Sequence, residues 1–179
     1  MATLSARTVG VMGSGSAEHE DYAGPVGEAL AELGVNLLTG GGGGVMTAVS
    51  RAFTARRDRR GICIGIIPCA SETDRMTPRA GYPNQFIELA IYTHLPYSGR
   101  LGMHDLSRNH INVLSCAAIV ALPGEEGTAT EVSLAQQYGK PVVAYASVSA
   151  IRHFPQSVRR VESVAELKQF LRPYLDDGA

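Results

Sequence analysis

Lysine is nearly missing from this chain: Lys140 and Lys168 are the only two, and neither lies in a glycine-rich loop. A Schiff-base enzyme needs a lysine at such a site, so pyridoxal phosphate chemistry is disfavoured. Cysteine is also sparse. Cys63, Cys69 and Cys116 are odd in number and lack CxxC spacing, which reads as reduced, packed thiols of a cytoplasmic protein and not as a zinc site or disulfide framework. No block of like charge is long enough to act as a tail, and the net charge is -1, so neither duplex nucleic acid nor an anionic membrane has an electrostatic footprint. Residues 1–7 lack the apolar core of a signal peptide and no apolar run reaches spanning length, so the expected location is the cytoplasm.

Several catalytic signatures are missing as well. The only Gly-Lys pair, Gly139-Lys140, is followed by Pro141, which excludes a nucleotide triphosphatase loop. No GxSxG elbow offers a hydrolase nucleophile. The loop Gly13-Ser14-Gly15-Ser16-Ala17-Glu18 begins like a dinucleotide fingerprint but carries Glu18 where the third glycine belongs. The second strand ends in Thr39 and glycines, without the acidic residue that holds a ribose hydroxyl, so a nicotinamide cofactor is disfavoured. His94, His104 and His110 match no zinc spacing, while His19 and His153 stand alone; surface or hydrogen-bonded roles follow, with no metal.

What is present alternates. With 179 residues, 45% hydrophobic, the chain suits one domain over 1–179. Apolar runs over 8–12, 35–39, 61–68, 86–93, 117–122 and 141–146 read as strands, and helical spacing marks 22–33, 45–55, 104–114, the segment after Gly127, and 163–175. Ser163 and Glu166 form a capping box on the last helix, and Gly178 and Ala179 read as frayed. The alternation predicts an α/β fold: a doubly wound, mostly parallel, Rossmann-like sheet with helices on both faces. Gly13, Gly40, Pro68 and Gly124 all follow carboxyl ends of strands, where such sheets bind ligands. Residues 69–85 form a long aperiodic loop, a length that is often functional. The cations Arg56, Arg57, Arg59 and Arg60 read as a solvated helix end.

The richest stretch is 117–131. A buried strand ends in Pro123-Gly124, turns through Glu125-Glu126-Gly127, and enters a helix whose free N–H groups at Gly127 and Thr128 attract anions, phosphate above all. Glu131 lies about one turn further on. The five glycines Gly40, Gly41, Gly42, Gly43 and Gly44 mark a place where main chain must approach something closely. Arg108, on the helix predicted over 104–114, reads by itself as a surface partner of Asp105.

Together these residues resemble the Lonely Guy family of nucleoside-monophosphate phosphoribohydrolases, long mislabelled as lysine decarboxylases. Its signature PGGxGTxxE is matched by Pro123, Gly124, Gly127, Thr128 and Glu131; Gly40 to Gly44 with Val45-Met46 match its glycine loop, and Arg108 falls at its catalytic arginine. The likeness covers residues 9–146 and is greater to the branch that includes molybdenum-cofactor carrier proteins. Glu125 replaces the second signature glycine, Asn109 stands where the hydrolases commonly have lysine, and the glycine loop is one residue shorter than in cytokinin-activating members. The resemblance implies hydrolysis of the N-glycosidic bond of a nucleoside 5′-monophosphate. Glu131 would stabilise the oxocarbenium ion or activate water, and Arg108 would orient the nucleotide. Gly13, Ser14 and the loops at Gly40 to Gly44 and Pro123 to Thr128 would hold phosphate, sugar and base. The alternative it implies is a carrier that binds a phosphorylated pterin or nucleotide without turnover. Neither needs a cofactor, and a homodimer is implied in both cases.

Overall fold

Among the described residues seven strands lie in one sheet, and every pairing in it is parallel. The computed structural model describes residues 7–152 and 154–175; the expectations about His153, Gly178, Ala179 and residues 1–6 lie outside the described residues. The strands are β1 (Thr8–Met12), β2 (Asn36–Thr39), β3 (Cys63–Ile67), β4 (Leu89–Tyr92), β5 (Ala118–Ala121), β6 (Val142–Tyr145) and β7 (Arg159–Val161), in the order β4-β3-β2-β1-β5-β6-β7. The helices are α1 (Glu20–Leu33), α2 (Val45–Ala55), α3 (Asn109–Leu114), α4 (Glu126–Gln137) and α5 (Val164–Leu175). The chain therefore builds outward from β1 in one direction and then, from β5 on, in the other. Between β1 and β5 lies the switch point where open α/β sheets bind their ligands.

Strand side chains alternate between faces, and this divides the core in two. Val9, Val11, Leu37, Ala118 and Val120 pack with Val26 and Leu30 of α1, Val49 and Phe53 of α2, and Leu167 and Leu171 of α5. Met12, Leu38, Ile66 and Ile119 point the other way, onto Val113 of α3 and Leu134 and Ala135 of α4. Each such side chain, fully buried, contributes about 1.5–3 kcal/mol. Gly27 lets the backbones of α1 and α2 approach each other, since a Cβ there would stand 2.6 Å from the Val49 carbonyl oxygen. All three cysteines are free and buried. Burial pushes the Cys63 thiol up to about 11 and the Cys116 thiol up to about 12, so both stay protonated. The capping box forms: Glu166 N–H donates to Ser163 Oγ (3.2 Å), and Ser163 N–H returns to Glu166 Oε2 (3.2 Å). Among the described residues no helix is long and apolar enough to cross a membrane.

Three boundaries differ from the sequence reading. The predicted helix over 104–114 begins only at Asn109. Ser107 forms an isolated parallel bridge with Tyr97, and its hydroxyl donates to the Tyr97 carbonyl and accepts from Asn109 N–H, holding 104–107 in turns. The strand predicted over 86–93 shrinks to β4, because Ile87 N–H turns back to the Asn84 carbonyl (3.3 Å). Strand β7 was not anticipated: three residues reading Arg-Arg-Val carry no period.

Candidate functional site

The carboxyl ends of β1 and β5 are laced together by main-chain hydrogen bonds. Leu122 N–H donates to Met12 C=O (2.8 Å), and Ser14 N–H donates to Pro123 C=O (3.0 Å). The loop after β2 joins them through Val45 N–H to Ser14 C=O (2.9 Å). Above this lacing opens a cavity of about 300 Å³, the size of a small-molecule site at the low end of its range. Of the residues singled out in the sequence, Gly13, Ser14, Gly40, Arg108, Gly127, Thr128 and Glu131 line it, while Gly41, Gly42, Gly43, Gly44, Pro123 and Gly124 do not.

The glycine run meets protein at every step, and three of the residues it meets, Ser14, Tyr82 and Arg108, line the cavity. A Cβ on Gly40 would fall 2.1 Å from Arg108 Nη1, on Gly41 2.5 Å from Ile67 Cδ1, on Gly42 2.5 Å from the Tyr82 ring, and on Gly44 2.4 Å from the Ser14 carbonyl oxygen. The run thus seats Arg108 and Tyr82 and locks the neighbouring loop. Gly124 does similar work in the next loop, where a Cβ would stand 2.2 Å from Thr128 Oγ1.

One wall of the cavity is the start of α4. No side chain caps it: Glu125 is the preceding residue and makes no cap hydrogen bond. The first-turn N–H groups at Gly127 and Thr128, unpaired by the helix itself, border the cavity with the positive end of the helix dipole. Glu125 is exposed on the cavity lip. Glu126 turns away to Arg100 (2.5 Å), in an exposed pair worth little.

Arg108 forms the opposing wall, and it is not the surface residue that its spacing from Asp105 implies. It precedes α3, is 4% exposed, and donates from Nη1 to the Ile66 carbonyl (3.1 Å). Its guanidinium lies 5.6 Å from the centroid of the Tyr82 ring, and Nε has no partner among the described residues. Burial lowers its proton affinity, opposed by Tyr82 and Glu131. A buried cation without a hydrogen-bonded carboxylate is costly, and an anion entering the cavity would repay part of that cost.

Glu131 is 9% exposed and takes one hydrogen bond on Oε1, from Asn112 Nδ2 (3.0 Å). Burial raises its pKa above the ordinary carboxylate value, against the charge of Arg108 and the Asn112 hydrogen bond. The folded chain therefore holds this proton more tightly than the unfolded chain. Between 4.5 and the raised value the native state carries more protons, so stability falls as pH climbs through that window. Glu131→Gln removes the slope, and the variant is expected to be more stable than the wild type at neutral pH. Thermal melts from about pH 4 to about pH 8 check this; parallel curves for the two proteins would contradict it.

Several lining or supporting residues carried no sequence signal of their own. Tyr82 arrives from the 69–85 loop, flagged only for its length; Ser98 also lines the cavity, and Asn112 lies behind Glu131. Asn109, singled out in the sequence beside Arg108, lines the cavity too. Two of the histidines hold hydrogen bonds: His104 Nδ1 accepts from Leu106 N–H (3.0 Å), and His110 pairs with the Tyr138 hydroxyl (2.7 Å).

A Rossmann-like α/β fold with its cavity at the β1/β5 switch point is thus established. The chain belongs to the SLOG cluster4 family, whose profile matches residues 6–171. It is 30% identical over 138 residues to an uncharacterized protein of Archaeoglobus fulgidus, across 76% of this chain and 78% of that one. Among solved structures it is similar to the molybdenum cofactor binding protein from the phototrophic bacterium Rippkaea orientalis, with TM-score 0.71 and 26% identity over 96% of this chain and 98% of that one. It is also similar to the molybdenum cofactor carrier protein of Chlamydomonas reinhardtii, with TM-score 0.71 and 27% identity over 95% and 98%.

Proposed function

We propose that this cavity binds one phosphorylated small molecule with a planar heterocycle, a pterin of the molybdenum-cofactor type, and that the chain carries this cargo without breaking it down. The observation that carries the reading is the uncapped start of α4 facing the buried Arg108 guanidinium across one cavity. Two sources of positive potential, fixed by backbone and burial, suit a phosphate monoester. Tyr82, stacked near Arg108, offers an aromatic face to the ring. The two similar structures named for the molybdenum cofactor support the pterin.

Hydrolysis of a nucleoside 5′-monophosphate is the second reading, favoured by Glu131 and Arg108 lining the same cavity. Two features weigh against it. Burial disfavours the ionised Glu131 that an oxocarbenium ion requires, and Glu125 places a further carboxylate on the lip where phosphate enters.

Incubation of the protein with a panel of nucleoside 5′-monophosphates, followed by assay of ribose 5-phosphate, separates the two. The carrier reading expects no release from the wild type or from Glu131→Gln, with guanosine 5′-monophosphate bound by both. Release by the wild type that Glu131→Gln abolishes would establish the hydrolase instead.

A further inference from the structure

Asn112 is fully buried and does not line the cavity, yet it holds the one side-chain hydrogen bond that Glu131 receives among the described residues. Its own main chain is anchored. Asn112 N–H donates to the Arg108 carbonyl (3.0 Å), and the Asn112 carbonyl accepts from the Cys116 thiol (3.0 Å). The other end of its side chain is an anomaly: Oδ1 is buried and has no hydrogen-bond partner among the described residues. A buried acceptor left unpaired is expensive and therefore asks for a reason.

An amide offers one in its symmetry. It carries a donor and an acceptor on the same carbon, and a half-turn about the last side-chain bond exchanges them. With Glu131 ionised, Nδ2 donates to Oε1. With Glu131 protonated, the same half-turn presents the orphaned Oδ1 to the new carboxyl O–H. No leucine of similar volume can serve either state, and no aspartate can serve the ionised one. Glu131 Oε2, meanwhile, has no protein donor among the described residues, and Glu131 borders the cavity.

We propose that Asn112 is a positioning residue that clamps Glu131 by one oxygen, leaves the other for an N–H donor of the bound ring, and turns over when Glu131 takes up a proton. The pair thus has two hydrogen-bonded arrangements, one presenting a carboxylate to the ligand and one a neutral acid. The use made of Oε2 by a ligand rests on the binding function proposed above; the clamp and its turn do not. The other charged and titratable groups around Glu131 are Arg108 before α3, backed by Tyr82 and Arg79 from the loop after β3, Cys116 between α3 and β5, and Glu125 at the start of α4. Unlike these groups, Asn112 has no ionisable proton and carries its donor and its acceptor at positions that a half-turn exchanges.

The test uses the ligand-free, full-length protein labelled with ¹³C and ¹⁵N. Its side-chain carboxyl signals are followed through a pH titration, with Glu131→Gln identifying the Glu131 signal. The wild-type Asn112 side-chain amide resonances should move with the same midpoint as the Glu131 carboxyl carbon. In Asn112→Leu the Glu131 carboxylate loses a charged-group hydrogen bond, and its proton affinity should rise roughly tenfold. A midpoint unchanged within a factor of two in proton affinity, in a variant whose backbone spectrum remains native, would reduce Asn112 to packing and overturn the proposal. Should Asn112→Leu fail to fold, the wild-type titration decides alone: amide resonances that stay flat through the Glu131 midpoint overturn it. Because no ligand enters the experiment, the carrier reading can fail while this result stands, and the reverse.

Discussion

Arg108→Met is expected to weaken binding of guanosine 5′-monophosphate by roughly 100-fold, as loss of a buried charge partner does, without a matching loss of stability. The guanidinium is 4% exposed and donates to the Ile66 carbonyl, and no carboxylate hydrogen-bonds to it among the described residues. Truncation leaves the Ile66 oxygen unpaired, at a cost of about 1–3 kcal/mol. It also removes a buried charge whose desolvation costs several kcal/mol even after relaxation. The second effect offsets the first, so the melting temperature should stay level or rise while affinity collapses. Calorimetric titration and a thermal melt of the same sample read both quantities. Binding retained within about threefold of wild type would mean that Arg108 is not the partner of the anion.

Gly44→Ala should produce the reverse pattern, a large loss of stability at a residue that does not line the cavity. Gly44 has φ 61° and ψ -134°, a region that only glycine occupies without strain, at about 1–3 kcal/mol for other residues. Its Cβ would also press on backbone, 2.4 Å from the Ser14 carbonyl oxygen and 2.7 Å from Ser16 N. Both atoms belong to the loop that the Val45 N–H bond fixes, so neither can yield cheaply. Overpacking of this kind costs a further 1–3 kcal/mol or so, and the sum lowers the melting temperature by roughly 10 °C. The neighbouring Gly43→Ala is the control: its φ is not positive, and its nearest contact is a single oxygen at 3.2 Å. If both variants melt alike, the contact between the first two loops is not what requires glycine.

The contrast between these residues shows which parts of the site the sequence carries. Strands β1, β3 and β5 are legible because a parallel strand buried on both faces must be apolar throughout, and the loops after them are legible because Gly13, Pro68 and Gly124 interrupt those runs. The turn into α4 at Gly127 and Thr128 is legible because it is local. Arg108 is a different case. Its position depends on the Tyr97–Ser107 bridge and on room left by Gly40, both of them long-range, so local spacing assigns it to Asp105 and to a helix it only precedes. Tyr82 has no period around it, and its contact with Gly42 exists only once the 69–85 loop folds over the sheet. Asn112 reads as an unremarkable helix residue until its amide is seen against Glu131. The glycine run marks a close approach of main chain, and Arg108, Ile67, Tyr82 and Ser14 are what it approaches in the fold.

The proposed seat of the phosphate monoester is the start of α4, opposite Arg108. The most direct measurement is the titration of ¹⁵N-labelled protein with guanosine 5′-monophosphate, following the backbone amides. The Gly127 and Thr128 amides should shift saturably and by more than any others, and the same titration of Arg108→Met should leave them nearly unmoved at equal concentration. Saturable shifts centred on other loops, with Gly127 and Thr128 unchanged, would contradict the site.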